Sequence, residues 1–209
     1  MGYAERAAAP LELVAAAPRP EHAVIAHLVN EGARVLDVGC GDGALLALLA
    51  RTRRARGRGI ERNQTFVNAC VARGLTAVQG DPDHELAAFP DASFDYVVFA
   101  HTLQRLVRPQ AALKQAARIG ERVIVSLDNC AHWRTRLRLV SQGRLAPTHF
   151  DAGALHPCSV RDFAELAHAS RLTVERAVPM SAGEPGAPFA KTLWRANWFA
   201  ESAVFLLGQ

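Results

Sequence analysis

The stretch Arg34-Val-Leu-Asp-Val-Gly-Cys-Gly-Asp-Gly43 constrains this chain more than any other. Val35-Leu36-Asp37-Val38 has the near-continuous apolar character of a strand buried on both faces. Ala44 to Ala50 is a run of alanine and leucine suited to a helix. Between them, Gly39, Gly41 and Gly43 make a tight turn in which backbone can approach a ligand closely. A turn at the carboxyl end of the first strand of a doubly wound sheet is where nucleotide-like ligands bind.

A dinucleotide fingerprint, G-x-G-x-x-G, sets a pyrophosphate on a helix N-terminus. The spacing here is Asp-x-Gly-x-Gly-x-Gly, which resembles motif I of the class I S-adenosylmethionine (SAM) methyltransferases. SAM carries no phosphate, so anion-binding amides matter less. An acid near its cationic amino-acid moiety is favourable, and Asp37 is placed to accept from the ammonium, directly or through water. Gly57 to Glu61 reads as a second strand ending in an acid, about 20 residues after the loop, where a carboxylate can accept both ribose hydroxyls. Leu75 to Gln79 reads as a third strand, followed by Gly80 and Asp81. In SAM-binding folds the side chain there faces the adenine amine. The resemblance thus implies a site for SAM or S-adenosylhomocysteine (SAH). It draws Asp37, Gly39, Cys40, Gly41, Asp42 and Gly43 from the loop, Glu61 and Arg62 from the second strand end, Gly80, Asp81 and Pro82 from the third, and Ala100 from the fourth. The plainer reading makes Glu61 a solvated charge and Asp81 a turn residue before Pro82.

At 209 residues the chain fits one domain. Residues 1–20, rich in Ala and Pro, are expected to form an N-terminal arm, and 21–209 the domain. Net charge is only +4. The arginines between 51 and 58 fall where a helix should end, and cations there complement its dipole. No base-stacking platform is evident, so nucleic acid is not an expected partner. The four cysteines form no CxxC pair, and the histidines lack metal-ligand spacing. No signal pattern or long apolar run appears. These features predict a cytoplasmic protein with neither a membrane span nor a metal.

Alternating elements continue along the chain. Helices are expected over 21–31, 43–54, 64–73, 109–119 and 159–170, and strands over 34–38, 57–61, 75–79, 94–99, 122–127, 172–178 and 201–207. The order implies an α/β fold of the Rossmann-like class I SAM-methyltransferase type, a seven-stranded, mainly parallel sheet with helices on both faces.

Methyl transfer needs an acceptor held in line with the sulfonium and, for weak nucleophiles, a base. Nucleic-acid amino-methylating enzymes usually carry an Asn/Asp-Pro-Pro-aromatic segment after the fourth strand. Here that position reads Phe99-Ala-His-Thr-Leu-Gln104. Pro157-Cys158 lies too far along to be a cytosine-methylase nucleophile and reads as a helix-entry turn. His101 is the best isolated base candidate, and Asp128, ending the fifth strand, is a second polar residue facing the mouth. The plainer reading makes each a packing or ligand-contact residue.

Several stretches resemble the MetW family, the methionine-biosynthesis protein W of bacteria. They are Val35 to Leu46, Phe89 to Val98, Thr102-Leu-Gln104, Arg122 to Ser126, Asn129-Cys-Ala-His-Trp-Arg-Thr-Arg-Leu137, Gly143-Arg144 and Cys158 to Phe163, spanning roughly 21–178. The resemblance implies a methyltransferase fold in a protein associated with homoserine O-acyltransferase, acting as its accessory or regulatory partner rather than as a methylating enzyme. The alternative is a SAM-dependent methyltransferase of a small molecule. The segment His132-Trp133-Arg134 is the most family-specific. It is read as a partner anchor or a lid, against a Trp packed on the sheet edge. The family's longer segment between Leu145 and His156 is shorter here, and 179–200 matches poorly.

Overall fold

The computed structural model describes residues 19–144, 155–189 and 193–209. Of the expected arm over 1–20, residues 1–18 lie outside the described residues, as does most of the divergent segment after Leu145. The described chain runs α1 (Pro20–Leu28), β1 (Arg34–Val38), α2 (Ala44–Arg53), β2 (Arg56–Glu61), α3 (Gln64–Ala72), β3 (Thr76–Gln79) and a short α4 (Pro82–Glu85). It continues through β4 (Phe94–Ala100), α5 (Pro109–Ile119), β5 (Gly120–Asp128), α6 (Trp133–Gln142), α7 (Val160–Ala169), β6 (Thr173–Ser181), β7 (Glu184–Pro185), α8 (Leu193–Phe199) and β8 (Ser202–Gly208). The sheet order is β3-β2-β1-β4-β5-β8-β6-β7. The first five strands pair in parallel, and β8 enters antiparallel between β5 and β6.

The fold is the expected Rossmann-like one, with eight strands rather than seven. The extra strand is the two-residue β7, which pairs with the end of β6 through Met180–Pro185 and Ser181–Glu184. The Gly/Pro-rich stretch over 181–188 turns back there and forms a minimal hairpin, with Ala182 at φ 51° and Gly183 at φ 80°. Residues 133–142 and 193–199 form helices that the sequence reading did not place.

Strand side chains alternate between two cores. Leu36, Val97, Phe99, Val125 and Phe205 face α5, α7 and α8, meeting Leu113, Phe163 and Ala196. Val35, Tyr96, Val98, Ile124 and Val204 face α1 and α2, meeting Ile25, Leu45 and Leu49. Asp37 falls in register with Val35, so it breaks an otherwise apolar face at the carboxyl end of the parallel strands.

Candidate cofactor site

The loop after β1 is held mainly by β2. The amides of Gly39 and Cys40 both donate to the Ile60 carbonyl, at 2.8 and 3.1 Å. The Gly41 amide donates to Glu61 Oε2 at 2.9 Å, while Glu61 Oε1 accepts from the Asn63 amide at 2.9 Å. Two glycines do different work. Gly39 has φ 76°, and a Cβ there would stand 2.5 Å from Thr102 Oγ1. Gly41 has φ 55°, and a Cβ there would meet nothing within 4 Å. Gly39 therefore makes room inside the fold, and Gly41 faces open space beside the loop. Cys70 Sγ donates to the Gly41 carbonyl at 3.3 Å. Asp42 Oδ1 accepts from the Ala44 amide, and Arg73 bonds both its carbonyl and its carboxylate, at 2.7 and 3.2 Å. Cys40 is buried, which pushes its thiol well above the ordinary range.

Asp37 is 1% exposed, and its Oδ1 has no hydrogen-bond partner. Burial first, and then the Glu61 carboxylate, push its pKa up to about 7. An unpaired buried carboxylate is costly and lacks a donor. A ligand ammonium or a bridging water would supply one, and the open side of Gly41 is where backbone can meet a ligand. The residues therefore fit the amino-acid end of SAM or SAH.

The third expected acid is differently engaged. Asp81 caps α4 by accepting from the Asp83 amide at 3.1 Å, and Arg62 lies 3.3 Å from its Oδ2. Gly80 donates to the Glu61 carbonyl, and Pro82 is buried. Asp81 thus caps α4 beside the end of β2. Ala100 ends β4, half-buried, and its carbonyl accepts from Thr102 Oγ1.

His101 follows with φ 54°, a conformation few non-glycine residues adopt. Its amide donates to the Ser126 carbonyl at 3.2 Å and to Ser126 Oγ at 3.1 Å. Its ring is 9% exposed and lies between two carboxylates, Nε2 3.5 Å from Glu21 and Nδ1 3.4 Å from Asp128. Both contacts are ion-pair rather than hydrogen-bond distances. Burial opposes the charge on His101, but Asp128 and Glu21 outweigh it and raise the pKa to about 9. The His101 contact in turn holds Glu21 down at about 2, and Ser202 Oγ donates to Glu21 at 3.0 Å. The ring ties α1 to the ends of β4, β5 and β8.

The family-specific stretch around 129–137 organises the other side of the mouth. Asn129, 5% exposed, donates to the carbonyls of Ala196, Asn197 and Ala200, and its Oδ1 accepts from the amides of Ala131 and Val160. One side chain thus joins the end of α8 to the start of α7. Gln104, also buried, exchanges two hydrogen bonds with the Asp128 backbone. Sequence reading missed both residues as anchors, although Gln104 and Asn129 stood within the family matches. His132 is buried ahead of α6, while Trp133 and Arg134 are exposed and stacked, 5.4 Å apart. Among the described residues, no group of three or more His, Cys, Asp or Glu is placed to hold a metal. No helix there is long and apolar enough to cross a membrane.

Known proteins resemble the chain in fold and in sequence. A SAM-dependent methyltransferase from Thermotoga maritima, described as a possible histamine N-methyltransferase, superposes with a TM-score of 0.66 at 16% identity, covering 90% of this chain and 87% of that one. A fatty-acid O-methyltransferase of Mycolicibacterium smegmatis is 38% identical over 103 residues, 47% of this chain and 37% of the relative. A bifunctional methionine biosynthesis protein MetXA/MetW of Rhodopirellula baltica is 35% identical over 137 residues, 61% of this chain and 22% of the relative. The chain thus spans well under half the length of either relative. The family model for methionine biosynthesis protein MetW matches residues 19–207, and the chain belongs to that family.

Proposed function

We propose that this protein binds SAM or SAH at the β1–α2 loop and serves as an accessory, regulatory partner of homoserine O-acyltransferase in methionine biosynthesis. One observation carries the ligand half: Asp37, buried with an unpartnered carboxylate oxygen beside a glycine that faces open space. In this reading Asp37 receives the ligand's ammonium and the loop amides line its amino-acid end. Glu61, already bonded to Gly41, lies beside the ribose. SAM supplies an electrophilic methyl group when bound. The partner half draws its support from the fused MetXA/MetW relative, in which a domain similar to this chain shares a polypeptide with a second activity. The charged His101 fits a role other than proton abstraction.

A small-molecule methyltransferase is the competing reading, favoured by the similarity to a fatty-acid O-methyltransferase. Calorimetric titration with SAM and SAH, followed by incubation with methyl-labelled SAM and fatty-acid or small-amine acceptors, separates the two. Binding with no labelled product is the expected result. Labelled product at enzymatic rates would favour the competing reading, and absence of binding would contradict both.

A further inference from the structure

All three tryptophans of the chain lie on two neighbouring helices, and all are exposed. Trp133 on α6 is 39% exposed, and Trp194 and Trp198 on α8 are 60% and 43% exposed. Tryptophan is usually largely buried, so this arrangement is informative. Helix α6 buries none of its side chains. Trp133, Leu137 and Val140, spaced i, i+4, i+7, form an apolar stripe that faces outward. Phe199 adds a further exposed ring. Arg136 joins the two helices: its guanidinium lies 4.4 Å from the centre of the Trp198 ring and donates to the Ala131 carbonyl at 2.6 Å. Beside it opens a cleft of about 720 Å³ between α6, α7 and α8, walled by Arg161, His168, Trp194 and Trp198.

We propose that the α6–α8 face is the docking surface for the acyltransferase, receiving an apolar segment rimmed with carboxylates. This rests on the partner reading above. Contiguous exposed aromatic and aliphatic groups mark interaction sites, and tryptophan and arginine are the residues that most often dominate interface energies. Charge selects the occupant. Arg134, Arg138, Arg144 and Arg195 stand on or beside the face, against Glu165 and Glu201. Those two acids already pair with Arg161 and Arg134. A two-fold contact with a second copy would oppose arginine to arginine. The exposed Leu137, Leu139 and Val140 suit a protein surface and offer nothing to a phosphate backbone. The face is held by Asn129, at the end of β5, whereas the Asp37 loop follows β1.

The test uses the full chain and the homoserine O-acyltransferase of the same organism, with affinity measured by calorimetry or interferometry. The double variant Val140→Glu/Trp198→Ala should bind at least tenfold more weakly. Val107→Glu, at an exposed apolar site elsewhere, should bind like wild type. Unchanged SAH binding and thermal unfolding verify that each variant is folded. Binding of wild type and double variant with equal affinity would overturn the docking surface and leave the partner reading standing. No binding by wild type would overturn the partner reading and the surface with it. Self-association, or binding of a single-stranded oligonucleotide, that is lost in the double variant while acyltransferase binding is retained would assign the face to another occupant and overturn the proposal.

Discussion

Ionisation of Asp37 costs free energy in the folded protein. Its pKa of about 7 lies above the ordinary 3.8, so between these values the native state holds a proton the unfolded state has lost. Stability therefore falls as pH rises through that window. Asp37→Asn, which cannot ionise, should be at least as stable as wild type at pH 8 by thermal denaturation. It should also bind SAH about tenfold or more weakly, the scale of one lost charge-assisted hydrogen bond. A large drop in melting temperature would instead make Asp37 a structural residue. The glycines separate in the same way. Gly41→Ala should fold with a loss of about 1–2 kcal/mol for its left-handed backbone and still impair SAH binding. Gly39→Ala must also displace Thr102, and should unfold at distinctly lower temperature than Gly41→Ala. His101 has the opposite linkage to Asp37. Its native pKa of about 9 exceeds the ordinary 6.5, so its contribution is complete below 6.5 and lost as pH rises through 9. His101→Asn, which tolerates the positive φ, should cost on the order of 2 kcal/mol at pH 6 and little at pH 10, by denaturant titration. Equal losses at both would mean that packing, not charge, is what His101 contributes. The Asp37 loop was legible in the sequence because its turn chemistry is local. The charge on His101 was not, since it depends on Asp128 and Glu21, brought beside it from β5 and α1 only by the folded sheet.

At the scale of elements, Asn129 is the joint of the C-terminal half. It answers three carbonyls at the end of α8 and the amide that opens α7. Asn129→Ala takes this donor from the Asn197 and Ala200 carbonyls, while Ala196 keeps the Ala200 amide, at a cost of roughly 2–3 kcal/mol. That corresponds to a melting temperature lower by about 5–10 °C. Hydrogen exchange should quicken first in 193–199. Uniform destabilisation with unchanged local protection would count against this role. The strands and the helices that bury a face were read from the sequence to within about three residues, because burial imposes the period. Helix α6 escaped notice because its apolar stripe faces outward, and α8 because it buries little beyond Ala196 within its span. Ser159 and Asp162 form a capping box that opens α7, where the helix over 159–170 was expected.

On the scale of the whole molecule, the sheet carries two surfaces on one scaffold. The carboxyl ends of β1 and β2 hold the candidate ligand loop, and α6 with α8 holds the exposed aromatic face. The mainly parallel sheet with helices on both faces followed from alternation in the sequence, whereas β7 depends on a hairpin too short to leave a pattern. A SAM effect on a partner requires different affinities in the free and complexed states. The direct measurement is the rate of homoserine acylation by the acyltransferase of the same organism, with and without this protein, at zero and saturating SAM. The account predicts a rate that depends on the protein and changes with SAM. A rate indifferent to the protein at both SAM levels would contradict it.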